Sequence, residues 1–164
     1  MELPTPASPS SSSGAASAPP RAYSLTGSYS VKLSGGRARL VLPALWREQI
    51  EGPVKVGPCP YREGVRIYPR DEFARIVEQL RREQLDGKSW ARQLAVWLGR
   101  HFYEGTPDSA GRIEIPSSIV TGFAWPEKDE IVLIGGHTYV IIEVPVAEGS
   151  ALYAALPDHI PAWI

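Results

Sequence analysis

The sequence predicts an α+β, mainly β protein, a pseudo-twofold barrel built from two repeats with a helical connector between them. The first observation behind this is an internal match. Arg39-Leu40-Val41-Leu42-Pro43 corresponds to Arg112-Ile113-Glu114-Ile115-Pro116 at an offset of 73, with glycine in the residues before each Arg and a helix-compatible stretch after each Pro. The second is that each half continues alike. Val54-Lys55-Val56-Gly57 corresponds to Val132-Leu133-Ile134-Gly135, and Val65-Arg66-Ile67-Tyr68 to Val140-Ile141-Ile142-Glu143, all short runs rich in β-branched residues. The third is size: halves of roughly 45 residues are each too small to close a stable core, so they should share one.

Taken in order, residues 1–22 hold six Ser, five Pro and five Ala with two charges. Such a stretch buries too little apolar area to offset the entropy of ordering and reads as a disordered tail. The first repeat spans residues 23–70 as strand, turn, strand, helical turn and hairpin. A helical connector follows over residues 71–101, with Asp71 as its N-cap and Phe73, Ile76, Val77 and Leu80 on one stripe. Asp86-Gly87 breaks that helix. A second one starts near Ser89, carries Trp90, Leu94, Trp97 and Leu98 on a single face, and ends at Gly99. The second repeat covers residues 102–146, and residues 147–164 form a C-terminal segment.

Composition narrows the function. With 164 residues, 43% hydrophobic and 21% charged, the chain can bury one real core. No stretch approaches the roughly 20 apolar residues that cross a bilayer, and the N-terminus lacks the pattern of a secretion signal, so a cytoplasmic protein without a membrane partner is expected. Cys59 is the single cysteine, which excludes an internal disulfide and offers no zinc framework. Neither metal nor cofactor is expected. His101, His137 and His159 are scattered, no Ser or Cys sits in a nucleophile elbow, and no Gly-rich loop opens a long helix. An enzyme acting on a small-molecule substrate is therefore disfavoured. Glu127, Asp129 and Glu130 read as a solvated acidic turn, and His137, after Gly135-Gly136, as a hairpin residue.

Net charge is −1, too balanced to favour nucleic acid by bulk attraction. Its distribution is uneven: residues 1–62 hold seven Lys or Arg against three acids, and residues 63–164 hold ten against fifteen. Two turns stand out. The second reads Asp108-Ser109-Ala110-Gly111-Arg112, where an Asp four residues before an Arg can take the guanidinium from one side and leave its other donors pointing outward. The first reads Gly35-Gly36-Arg37-Ala38-Arg39, with Lys32 before it, Arg47 after it, and no acid between Tyr23 and Arg47. Counting back from Arg39, Gly35 stands in the Asp place. In a pseudo-twofold barrel these equivalent loops converge, with Gly36 and Gly111 supplying the turns. Arg39, Arg112, Arg37 and Lys32 are the candidate DNA-contacting residues, and Asp108 the residue that orients Arg112. Such side chains can neutralise phosphates or read guanine through two hydrogen bonds.

Tyr23 to about Glu143, roughly three quarters of the chain, resembles the MraZ family of bacterial regulators associated with the division and cell wall gene cluster. The resemblance rests on Gly27-Ser-Tyr-Ser-Val-Lys-Leu leading into Arg39-Leu-Val-Leu-Pro and on Val65-Arg-Ile-Tyr-Pro. It continues in Asp108-Ser-Ala-Gly-Arg-Ile-Glu-Ile-Pro and Glu130-Ile-Val-Leu-Ile-Gly. It implies an AbrB-like swapped-hairpin barrel, two Asp-x-x-x-Arg elements per chain, a ring-shaped homo-oligomer, and binding to short G-containing promoter repeats in double-stranded DNA at the nucleoid. Arg39 and Arg112 would face the DNA. The chain departs from the pattern at Gly35, at Ala38, where the family usually has Gly, and after the last strand, where Val144-Pro-Val-Ala-Glu-Gly replaces a Trp motif. A competing expectation is an AbrB-like protein interaction or antitoxin-type module whose loops no longer read DNA.

Overall fold

Ser28-Tyr29-Ser30-Val31-Lys32 alternates exposed and half-buried positions, as a strand covered on one face requires, and forms β1 (Ser28–Lys32). The computed structural model describes residues 22–36 and 38–164; the rest of the N-terminal tail and Arg37 lie outside the described residues. After the first turn comes β2 (Arg39–Val41), with Leu40 buried between two exposed neighbours. Pro43, at φ −54° and ψ 143°, leads into the short helix α1 (Ala44–Gln49). The buried Trp46 of α1 donates its indole N–H to the Thr26 carbonyl at 2.9 Å and meets Tyr29 edge-on. The hairpin β3 (Val54–Pro58) and β4 (Val65–Pro69) completes the first half.

The second half repeats these elements. β5 (Tyr103–Gly105) precedes the turn, β6 (Arg112–Glu114) buries Ile113, and Pro116, at φ −56° and ψ 144°, leads into α4 (Ser117–Gly122). The proline ring fixes φ and brings no N–H to satisfy, so the two halves bend alike where each short helix begins. β7 (Glu130–Gly135) and β8 (Val140–Ile142) form the second hairpin, and His137 sits in its turn at φ 68°.

The strands interleave. A six-stranded antiparallel sheet runs β1-β7-β8-β4-β3-β5, so β1 of the first half pairs with β7 of the second, and β5 of the second pairs with β3 of the first. Exchanging the labels of equivalent strands reverses this order and leaves it otherwise unchanged. β2 and β6 pair with each other in a separate two-stranded ladder, Leu40 opposite Ile113. One buried cluster takes residues from both halves, among them Leu40, Leu42, Ile67, Ile113, Ile115 and Leu133.

The connector is helical with three differences from the expected reading. α2 (Arg70–Leu85) follows Pro69 without a side-chain cap, because β4 runs directly into it, and Asp71 accepts instead from the Tyr23 hydroxyl at 2.6 Å. Phe73 and Leu80 are buried and Ile76 half-buried, but Val77 is 43% exposed. The stripe is thus centred on Phe73, Ile76 and Leu80, and Val77, about 40° beyond Phe73 on the side away from Ile76, falls off its edge. α3 (Ser89–His101) does not stop at Gly99. Continuing the helix delivers Phe102 to the ring cluster of Tyr68 and Phe73, and that burial outweighs the roughly 1 kcal/mol that a helical glycine costs. Residues 147–164 run as turns, held by bonds from Trp97 Nε1 to the Leu152 carbonyl (2.8 Å) and from the Tyr153 hydroxyl to the Cys59 carbonyl (2.7 Å).

Candidate nucleic-acid interface

The β2–β6 ladder sets the site. Arg39 stands opposite Glu114 and Arg112 opposite Val41, all four exposed, while Leu40 and Ile113 point into the core. Arg39 and Arg112 are therefore diagonal neighbours on one outward face, a relation that places residues about 7–8 Å apart. Two cross-links extend the ladder at its ends: Leu42 N–H donates to the Gly111 carbonyl (2.9 Å) and Ile115 N–H to the Ala38 carbonyl (2.6 Å). Each turn is thereby tied to the strand that follows the other turn's Arg.

Within the second turn, Asp108 Oδ1 accepts from the backbone N–H groups of Ala110 and Arg112, both at 2.9 Å, and Oδ2 accepts from Arg112 Nε at 2.6 Å. The Arg112 backbone N–H and then its guanidinium hold the Asp108 carboxyl below the usual carboxylate range. The bond uses Nε, so the two terminal nitrogens of Arg112 remain for a ligand. Gly111 takes φ 77°, and a Cβ there would lie 2.0 Å from Arg47 Cδ. Arg47, reaching over from α1, lies across the turn and donates from Nη1 to the Ala110 carbonyl at 2.7 Å. In the sequence Arg47 lies only near the first turn, 63 residues from Ala110.

The first turn is built differently. Backbone bonds close it between Ser34 and Arg39, with Ser34 N–H to the Arg39 carbonyl at 2.9 Å and Arg39 N–H to the Ser34 carbonyl at 3.1 Å. In the second turn the corresponding bond runs from Asp108 N–H to the Arg112 carbonyl at 3.1 Å, four residues apart instead of five. Ser34, not Gly35, thus holds the backbone place of Asp108. The extra residue is absorbed by Gly35 and Gly36, at φ 59° and 69°. With no acid in this turn, Arg39 reaches across the ladder: its Nε donates to Glu114 Oε1 at 3.2 Å, and its Nη2 lies 3.1 Å from the same oxygen.

A cleft of about 570 Å³ opens on this face, lined by Arg39, Arg112, Glu104, Thr106, Asp108 and Glu114 among others. Glu104 is offset by Arg70, whose Nε lies 3.3 Å away, and by Lys55 at 4.0 Å. Of the other expected residues, Lys32 is exposed on β1 opposite Glu130 and does not line the cleft, Gly36 has open space around it, and Arg37 lies outside the described residues. Among the described residues, no group of three or more His, Cys, Asp or Glu could hold a metal ion, and no helix is long and apolar enough to cross a membrane.

No family model matches the sequence. Known proteins do: the transcriptional regulator MraZ of Salinispora arenicola (strain CNS-205) is 32% identical over 126 residues, which cover 74% of this chain and 83% of that one. The chain belongs to the MraZ family. The MraZ regulators of Frankia alni (32% over 120 residues, 71% of this chain and 78% of that one) and Kocuria rhizophila (36% over 97 residues, 57% and 63%) agree. Membership makes this MraZ protein a transcription regulator by family, and the relatives' names fit a protein that is not an enzyme.

Proposed function

We propose that this MraZ protein is a sequence-specific DNA-binding transcriptional regulator, reading short promoter repeats with Arg39 and Arg112. What supports the reading is the placement of both side chains on one exposed face, each with its Nε against a carboxylate and nitrogens to spare. An Arg held along one edge can present its remaining donors to guanine O6 and N7 in a major groove. A single pair of such contacts is weak, and the acids of the cleft weaken it further. Repetition around a ring of subunits would raise affinity through effective concentration. In this reading the interleaved strands belong to an AbrB-like swapped-hairpin barrel, residues 23–70 and 102–146 are its two repeats, and the protein works at the nucleoid.

The test is a gel shift on a duplex from the region upstream of the protein's own gene, at two salt concentrations. Arg39→Ala combined with Arg112→Ala should abolish the shift while light scattering reports an unchanged assembly state. An unchanged shift refutes the site. A wild-type response that is weak, flat with salt and indifferent to scrambling would favour the interaction module instead.

A further inference from the structure

We propose that Glu114 is the positioning residue for Arg39, supplying from the second repeat the carboxylate that the first turn lacks; the inference rests on the DNA-binding reading above. Residues 33–38, Leu33-Ser34-Gly35-Gly36-Arg37-Ala38, contain no acid. The side chain directly opposite Arg39 on the same exposed face is Glu114, and the directly opposed position is the closest cross-strand approach on a sheet face. Both arginines are gripped at Nε, Arg112 by Asp108 and Arg39 by Glu114; Arg112 keeps both terminal nitrogens for a ligand, and Arg39, whose Nη2 also lies 3.1 Å from the Glu114 oxygen, keeps Nη1. The assignment is one carboxylate each, because the residue opposite Arg112 is Val41.

The two grips differ in kind. Asp108 is itself anchored by two backbone N–H groups, and its side chain is 42% exposed; the Glu114 side chain is 75% exposed and reaches Arg39 on a longer arm. Arg39 is thus placed by a partner more open to solvent than the one that places Arg112. Removing Glu114 should have two opposed effects on DNA. Loss of a negative charge beside the duplex leaves binding to any sequence equal or tighter. Loss of the grip makes Arg39 pay its ordering entropy on binding, which lowers discrimination at the bases it reads by about three- to tenfold.

The experiment titrates wild type, Glu114→Ala, Glu114→Gln, Arg39→Ala and Arg112→Ala against the upstream duplex and against duplexes with each G replaced in turn. In parallel, the Arg Nε–H resonances of the free proteins are recorded by ¹⁵N NMR. The expected result is that Glu114→Ala loses discrimination only at positions that Arg39→Ala also silences. Scrambled DNA should bind it no more weakly than wild type, and Glu114→Gln, which keeps the acceptor, should retain part of the discrimination. The Arg39 Nε–H signal should broaden in Glu114→Ala while that of Arg112 stays. Equal losses at Arg39 and Arg112 positions, unchanged discrimination, or an Arg39 signal indifferent to Glu114→Ala would overturn the inference. A wild type without sequence preference would sink the DNA reading instead, and the Nε–H signals would then decide the Glu114–Arg39 grip by themselves.

Discussion

In the second turn one carboxylate collects three hydrogen bonds and an arginine from the other half lies over the glycine; in the first, two left-handed glycines carry the chain round and the arginine takes its partner from across the ladder. Equivalent positions in a duplicated frame have thus reached one outcome, an outward guanidinium held at Nε, by a local route and a remote one. A tight turn that supplies its own acceptor fixes its arginine independently of its surroundings. A wide turn delegates the task and ties its arginine to the register of the strand pair.

The largest effects should come from the part the halves share. Leu40→Ala and Ile113→Ala each empty a fully buried site in the ladder and should each cost about 2–5 kcal/mol by denaturant unfolding. A large loss for one and a negligible loss for the other would break the equivalence of the two strands.

Next come the glycines that separate the turns. At Gly111 an alanine meets both a left-handed backbone and Arg47 Cδ at 2.0 Å, whereas at Gly36, φ 69°, nothing lies within 4 Å of the added carbon. Gly36→Ala should cost only the backbone term of about 1–2 kcal/mol. Gly111→Ala should cost that and the displaced Arg47 bond besides, about 2–3 kcal/mol in all. Thermal melts of the two variants measure the difference, and equal losses would remove Arg47 from the account.

How much of this was legible beforehand follows from where each interaction is written in the chain. The paired strands and prolines were readable because β-branched runs and fixed φ values are local properties. Asp108 and Arg112 were readable because both ends of their bond lie within five residues. Arg47 lies 63 residues from Ala110 and Glu114 75 from Arg39, so neither contact exists until the ladder's register is set. Gly35 was assigned by counting, and the ladder shows that Ser34 takes the place because two adjacent glycines widen the turn by one residue. The helix past Gly99 was hidden for the same reason, since what pulls it onward is the burial of Phe102 against distant rings.

The smallest effect separates the turns by pH. The Asp108 carboxyl sits below its ordinary value of 3.8 when folded. Its contribution is therefore complete above that value and disappears as pH falls through the lower folded one. Amide shifts of Ala110 and Arg112 should move together in an acid step below pH 3.8, while that of Ala38, bonded to the Ser34 carbonyl, should show no such step. A step in all three would mean that the turns are acid-sensitive for some common cause.

The crossed strands carry a consequence for any attempt to dissect the molecule. A chain stopped at Asp86 would keep β1 with no β7 to receive it and would leave β3 with one flank bare, since β5 is gone. Neither fragment owns a finished edge, so the midpoint of the sequence, which looks like the natural place to cut, is where scission does the most damage.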